Sequence, residues 1–267
     1  MTIKPGAARS AFLAIAALVL SAPSPLGPQE KADDARLVRI LEKAGYYCRR
    51  LDKAALDFIC LEEVSEMANR YLRSFDVFLY DYQFVRKKDE IKEQRNLIAI
   101  DGKKTSRPTP AIQPTAFRYK NVLFGPIGLL SEFWQGYHEY RIAGEEKLLG
   151  EETVIIEATP NAKAHEPHPY GRIWLKESDG SVLKIVWDQR SLGNFKMAEE
   201  WAKEHDAEPM FTAYSEYGFE QKGLRFPSRS YTEQAYMRKD RGKSPSAEMS
   251  VTYKDYKFFT VETETIY

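Results

Sequence analysis

The chain has 267 residues with 39 basic against 39 acidic side chains, a balance without the strongly basic character that a nucleic-acid partner favours. Aromatic residues make up 13%, with 16 tyrosines, a composition that suits a sheet-rich protein with a broad half-polar surface. Lys4 and Arg9 precede an apolar run over residues 11–20, and Ser21, Ala22 and a proline-bearing stretch follow. A basic start, a short apolar core and small residues behind it are the parts of a secretory signal peptide. The run falls well short of the ~20 residues that span a bilayer, so residues 1–24 are expected to be a cleaved signal. Pro23 and Pro25 obscure the cleavage point, and no cysteine follows the run to carry a lipid. Residues 25–267 are then one domain, periplasmic or secreted.

Residues 33–55 carry Leu37, Ile40, Leu41, Ala44, Cys48 and Leu51 at three- and four-residue spacing, the stripe of an amphipathic helix. Asp33 and Asp34 suit its positive N-terminal end. The two cysteines, Cys48 and Cys60, form an even pair behind an export signal, which favours a disulfide. On one continuous helix they would lie ~18 Å apart, so a bridge needs the helix to end near Ala55 and the chain to turn back at Phe58. Two buried, unpaired thiols are the alternative.

Strands are expected over residues 56–66, 76–87 and 91–100, with Lys88, Asp89 and Glu90 turning between the last two. Phe78, Tyr80, Tyr82 and Phe84 share one face of the second strand. Such an aromatic ladder is sheet core or, because buried hydroxyls want partners, one wall of a partly polar ligand pocket. Asp101-Gly102 ends the third strand and residues 108–114 read as a loop.

Residues 122–134 (VLFGPIGLLSEFW) stand out for apolarity. Gly125-Pro126 can open a helix, and Ile127, Leu130 and Trp134 would share a face, with Phe133 and Leu129 beside them. This segment is either a core helix plugging one end of the sheet or an apolar lid over a cavity.

Residues 137–187 read as consecutive hairpins. Val154, Ile156 and Ala158 alternate with Thr153, Glu157 and Thr159; Ile173 and Leu175 do so with Arg172 and Lys176. Leu183, Ile185 and Trp187 follow on one face. Asp179-Gly180 between the last two strands is expected to form a tight turn with positive φ angles. His165 and His168 flank Glu166 in a proline-bearing loop, which lacks the helix that an H-E-x-x-H zinc motif requires. No metal or cofactor is expected. A short helix is expected at residues 197–203, strands at 210–219, 224–237 and 248–262, and an exposed hairpin tip at 238–247. No G-x-S-x-G elbow, nucleophile–base pair or phosphate-binding glycine loop appears, so nothing points to an enzyme.

The pattern YGRIWLKESDGSVLKIVW behind an export signal and an amphipathic helix resembles the outer-membrane lipoprotein-sorting proteins, the LolA/LolB-like superfamily. The matching positions are Gly150 and residues 152–158, Tyr170-Gly171, Trp174, Asp179-Gly180, Leu183 and Lys184, with residues 251–264 similar to the last strand of many uncharacterised members. An early aromatic-bearing Asp-Gly segment of the better-known carriers is reduced here to Ile100-Asp101-Gly102-Lys103. The resemblance implies a mainly β, α+β fold: a curved, half-open antiparallel barrel of ten to eleven strands covered by an N-terminal helix and a lid helix. It implies a monomeric carrier of lipid or lipoprotein acyl chains, working with envelope protein partners. Phe78, Tyr80, Tyr82, Phe84, Ile127, Leu130, Phe133 and Trp134 are then the expected ligand contacts. The other expectation is a regulatory or structural envelope module with its cavity filled by its own side chains.

Overall fold

The computed structural model describes residues 28–56, 58–67, 75–87, 90–110, 117, 122–164 and 168–259. The expected signal (1–24), Lys88 and Asp89, loop residues 111–114, His165 and Glu166, and the ending beyond Phe259 lie outside them. The amphipathic stripe becomes α1 (Pro28–Ala54), and the first hairpins become β1 (Phe58–Met67), β2 (Asp76–Lys87), β3 (Glu90–Ile100) and β4 (Lys103–Pro110). β4 replaces part of the loop expected at 108–114. The apolar segment is a 3-10 turn (Val122–Phe124) followed by α2 (Gly125–Leu130) and α3 (Glu132–Gln135). Then come β5 (His138–Leu148), β6 (Glu151–Pro160), β7 (Gly171–Leu175), β8 (Val182–Trp187), α4 (Phe195–Glu204) and β9 (Glu208–Glu216). The chain ends in β10 (Phe219–Gln221), β11 (Leu224–Phe226), β12 (Arg229–Arg238) and β13 (Gly242–Phe258). β13 begins inside the stretch expected as an exposed tip.

Eleven strands form one antiparallel sheet in the order β4-β3-β2-β1-β13-β12-β9-β8-β7-β6-β5, and β10 with β11 makes a separate hairpin. The sheet is not a single meander in chain order. β1 pairs with β13, Val64 opposite Val251, so the first and last strands form a seam. β4 and β5 are the two edges, and the half-open barrel stays unclosed. Bulges at Leu79/Tyr80, Ile142/Gly144 and Gln234/Ala235 add bend. Between these two edge strands in sequence, α2 lies against α1 and β8 on the covered face.

Three hairpins turn on a residue-glycine pair with both φ positive: Asp101-Gly102, Leu149-Gly150 and Lys222-Gly223. Asp179-Gly180 does not. Only Gly180 is positive (φ 74°), and the turn is a longer loop closed by Gly180 N–H donating to the Lys176 carbonyl at 2.8 Å. Asp179 instead accepts from the Ser181 N–H at 2.9 Å.

That loop is where α1 docks. The buried face of α1 comprises Ile40, Ala44, Tyr47, Cys48 and Leu51, with Leu37 and Leu41 partly buried beside it. Arg36 donates through Nε to both oxygens of Glu177 at 3.0 and 3.1 Å, and Lys43 Nζ donates to the Glu177 carbonyl at 2.9 Å. A Cβ on Gly180 would sit 2.5 Å from Ala44 N and from the Lys43 carbonyl carbon, so only glycine lets loop and helix backbones meet. Gly180→Ala should therefore cost about 2–3 kcal/mol, combining backbone strain with displacement of α1. The shift of the urea midpoint at unchanged slope measures it; a neutral result would refute the contact.

Candidate functional site

The inner face of β9 presents Phe211, Ala213 and Ser215, running on to Tyr217, with small residues in the middle. Strand pairing sets Ser215 opposite Ser230 and Ala213 opposite Thr232 of β12. Two small pairs side by side leave a hollow in the sheet. Above it lies a cavity of about 470 Å³, floored by these four residues and Trp187, and roofed by Val122, Phe124, Ile127, Gly128, Leu129 and Trp134. Pro169 and Leu192 border it, as does Tyr231, whose ring stacks on Tyr214 with centroids 5.4 Å apart. None of the described lining side chains is charged at neutral pH. The wall offers apolar surface and a strip of hydroxyls. Ser230 Oγ donates to the Tyr214 carbonyl at 3.3 Å, and Ser215 Oγ accepts from Trp187 Nε1 at 3.4 Å.

The roof is tied down by side chains, three of them from elsewhere in the fold. A short helical segment leaves its carbonyls without intrahelical donors. Here Tyr217 Oη donates to Val122 O at 2.8 Å, Cys48 Sγ to Pro126 O at 3.4 Å and Gln135 Nε2 to Leu130 O at 2.7 Å, while Tyr140 Oη donates to Leu129 O. Gly125 allows the first contact: a Cβ there would lie 2.5 Å from the Tyr217 hydroxyl. The segment is thus core on one side and cavity roof on the other.

The residues expected to touch a ligand divide sharply. Ile127 and Trp134 line the cavity. Ser131, extended at ψ 152°, breaks the helix, so the expected common face does not persist. Leu130 is wholly buried, whereas Phe133 is 66% exposed. The ladder Phe78, Tyr80, Tyr82 and Phe84 is buried and does not line the cavity. Phe84 packs edge-on against Phe124 with ring centroids 4.9 Å apart, which puts it behind the cavity wall. Tyr82 finds its polar partner within the sheet, donating to Glu93 Oε1 at 2.8 Å, with the Arg95 guanidinium 4.8 Å over its ring. Arg95 also bridges Glu62 Oε2 at 2.6 Å with both side chains buried, an ion pair whose partners satisfy one another. Of the floor residues, Trp187 falls on the face already read for Leu183 and Ile185, whereas Ala213, Ser215, Ser230 and Thr232 carry no mark but small residues at alternate positions.

The cysteine pair is a correction. Both thiols are free and buried. The chain does turn back after α1, but Cys48 faces the Pro126 carbonyl and Cys60 faces Tyr256. Burial pushes both thiols above their ordinary range.

His168 meets a partner far away in sequence. His138 Nδ1 lies 2.9 Å from the Trp134 carbonyl and must donate to it, which leaves His138 Nε2 as acceptor for His168 Nε2, 3.1 Å away. His168 also packs on Trp134, with centroids 5.4 Å apart. Burial lowers the His138 pKa below 6.5, its hydrogen bond to Trp134 opposing. No cluster of three or more metal-ligating side chains occurs among the described residues.

No family model and no curated protein matches the sequence. Among solved structures, the chain is similar to a Vibrio parahaemolyticus domain assigned as an outer membrane lipoprotein-sorting protein, at 14% identity and TM-score 0.42 over 84% of this chain and 94% of that one. It is also similar to a LolA superfamily protein from Nitrosomonas europaea, at 16% identity and TM-score 0.35, over 84% and 93%. A third likeness is to the Pseudomonas aeruginosa MucA/MucB complex, at 14% identity and TM-score 0.23, over 82% and 99%. Identities this low leave function to be read from the cavity.

Two outcomes follow from the buried groups. Thiol labelling without reductant should find no reactive cysteine in the native protein and two after unfolding; none after unfolding would restore the disulfide. His138 binds its proton more weakly folded than unfolded, so stability is full above pH 6.5 and falls as pH drops below it. Urea midpoints measured between about pH 7 and 5 should show that loss, and His138→Gln should reduce it.

Proposed function

We propose that the protein is a periplasmic or secreted binding protein that holds one acyl chain, of a lipid or lipoprotein, between α2 and the sheet. The observation that carries this reading is the uncharged cavity of about 470 Å³. That size falls within the ~300–1,000 Å³ of small-molecule sites. Each methylene moved from water into such a wall contributes about 0.8 kcal/mol. Of the floor hydroxyls, Ser230 already donates to the Tyr214 carbonyl, so Thr232 is the one that suits a neutral ester or amide carbonyl at the head of the chain. The mechanism is capture rather than chemistry. Resemblance of residues 150–187 to lipoprotein-sorting proteins agrees with it, as does the export signal expected from the sequence of residues 1–24.

A second reading is a regulatory or structural envelope module that transports nothing and acts through a protein partner. It is favoured by the roof anchors from Tyr217, Cys48, Tyr140 and Gln135, which oppose opening.

Gly128 separates the two. It borders the cavity, and a Cβ added there meets nothing within 4 Å. Gly128→Leu should keep or raise stability, by up to about 1 kcal/mol from helix propensity, while filling the cavity. Binding of the fluorescent fatty acid cis-parinaric acid should fall at least about tenfold, the worth of one or two lost methylene burials. Equal binding by wild type and variant would remove the cavity from the function, and no binding by wild type would favour the regulatory module. Leu130 is unsuitable for this test, because a polar residue there would unfold the core.

A further inference from the structure

Phe133 is the most exposed of the large aromatic side chains among the described residues, at 66%. It does not stand alone. Its ring lies 5.2 Å from Trp134 and 5.3 Å from Tyr137, and those two are 5.7 Å apart. Trp134 and Tyr137 are half-buried, so the three rings form one solvent-facing cluster. Single exposed apolar residues are ordinary, but a packed trio of Phe, Trp and Tyr on a surface needs a partner.

Three features select the partner. Trp134 belongs to the cluster and also lines the cavity, so the cluster is continuous with the proposed acyl site. The adjacent carboxylate Glu132 is neutralised by Arg49, and the nearest loop brings exposed Lys163, whose N–H is held by Asn161, itself bonded to the Gly136 carbonyl. Glu132, the acid next to Phe133, is therefore paired and does not oppose a phosphate surface. Rings with one apolar end and one polar tip prefer the boundary between headgroups and acyl chains, where neither end is misplaced.

We propose that Phe133, Trp134 and Tyr137 form a docking surface for a phospholipid bilayer, set at the edge of the cavity so that an acyl chain can pass between membrane and cavity. The passage rests on the proposed function; the docking itself does not. Phe133 is the inserting side chain, and Trp134 and Tyr137 sit at headgroup level. The rigid anchoring of Trp134 through its carbonyl to His138 keeps the cluster presented without ordering cost.

The test is flotation of the full chain with dioleoylphosphatidylcholine vesicles, in parallel with titration by monomeric cis-parinaric acid. Wild type should float, and Phe133→Ser should lower vesicle partition about tenfold, the expected loss for withdrawing a buried Phe side chain. Parinaric acid binding should be unchanged in that variant, because Phe133 lies outside the cavity, and Phe133→Trp should restore flotation. Equal flotation of Phe133→Ser and wild type would overturn the docking surface. So would absence of wild-type flotation, or a wild-type dimer in sedimentation that Phe133→Ser abolishes, which would assign the cluster to a second copy of the chain. Cluster-dependent flotation without parinaric acid binding would leave the docking surface standing and defeat only the acyl-binding reading.

Discussion

The pairing of β1 with β13 is the constraint on which the rest depends. It joins strands almost two hundred residues apart, Val64 with Val251, and turns two local meanders into one sheet. Once the first and last strands are in the middle, β4 and β5 become the edges. Residues 122–135, which follow β4 and precede β5, lie on the covered side against α1 and form a roof. Such non-local pairings carry a high loop-closure cost and are made late or cooperatively with the core they enclose.

The roof shows how one segment serves stability and a binding surface together. Its short helices leave carbonyls that need donors; Tyr217, Tyr140 and Cys48 supply them from three other places in the fold and Gln135 from the end of the segment itself. Leu130 faces the core while Ile127 and Trp134 face the cavity. Plug and roof are therefore the same object. What distinguishes this roof from a plain core helix is the floor below it, where Ala213, Ser215, Ser230 and Thr232 are too small to reach it.

Much of the fold was legible. Period-two alternation located β2, β6, β7 and β8, and three-four spacing located α1, because both patterns record one buried face; β4 and β10 were missed, and β11 and β12 read as one strand. The site was legible only in part. Residues 122–134 drew attention through apolarity, yet Ser131 divides them and sends Leu130 and Phe133 in opposite directions. The ladder Phe78–Phe84 looked like a wall with hydroxyls in need of water. Tyr82 found Glu93 and Arg95 on the next strand instead, a satisfaction that depends on cross-strand register. The floor was invisible, since a serine or alanine at an inward position means nothing until its neighbour across the ladder is known to be small as well.

By itself, then, the sequence determined what depends on near neighbours: an amphipathic helix, strands with one buried face and an apolar segment at residues 122–134 whose one charge is Glu132. Tertiary structure decided everything that depends on distant pairs. It placed Gly180 against the α1 backbone rather than in a tight turn, kept Cys48 and Cys60 apart by facing them toward Pro126 and Tyr256, brought His138 to His168, and set two small pairs under Gly128. The physical reason is common to all of them. Periodicity reports which side of an element is buried, but strand register and helix docking report what lies on the other side.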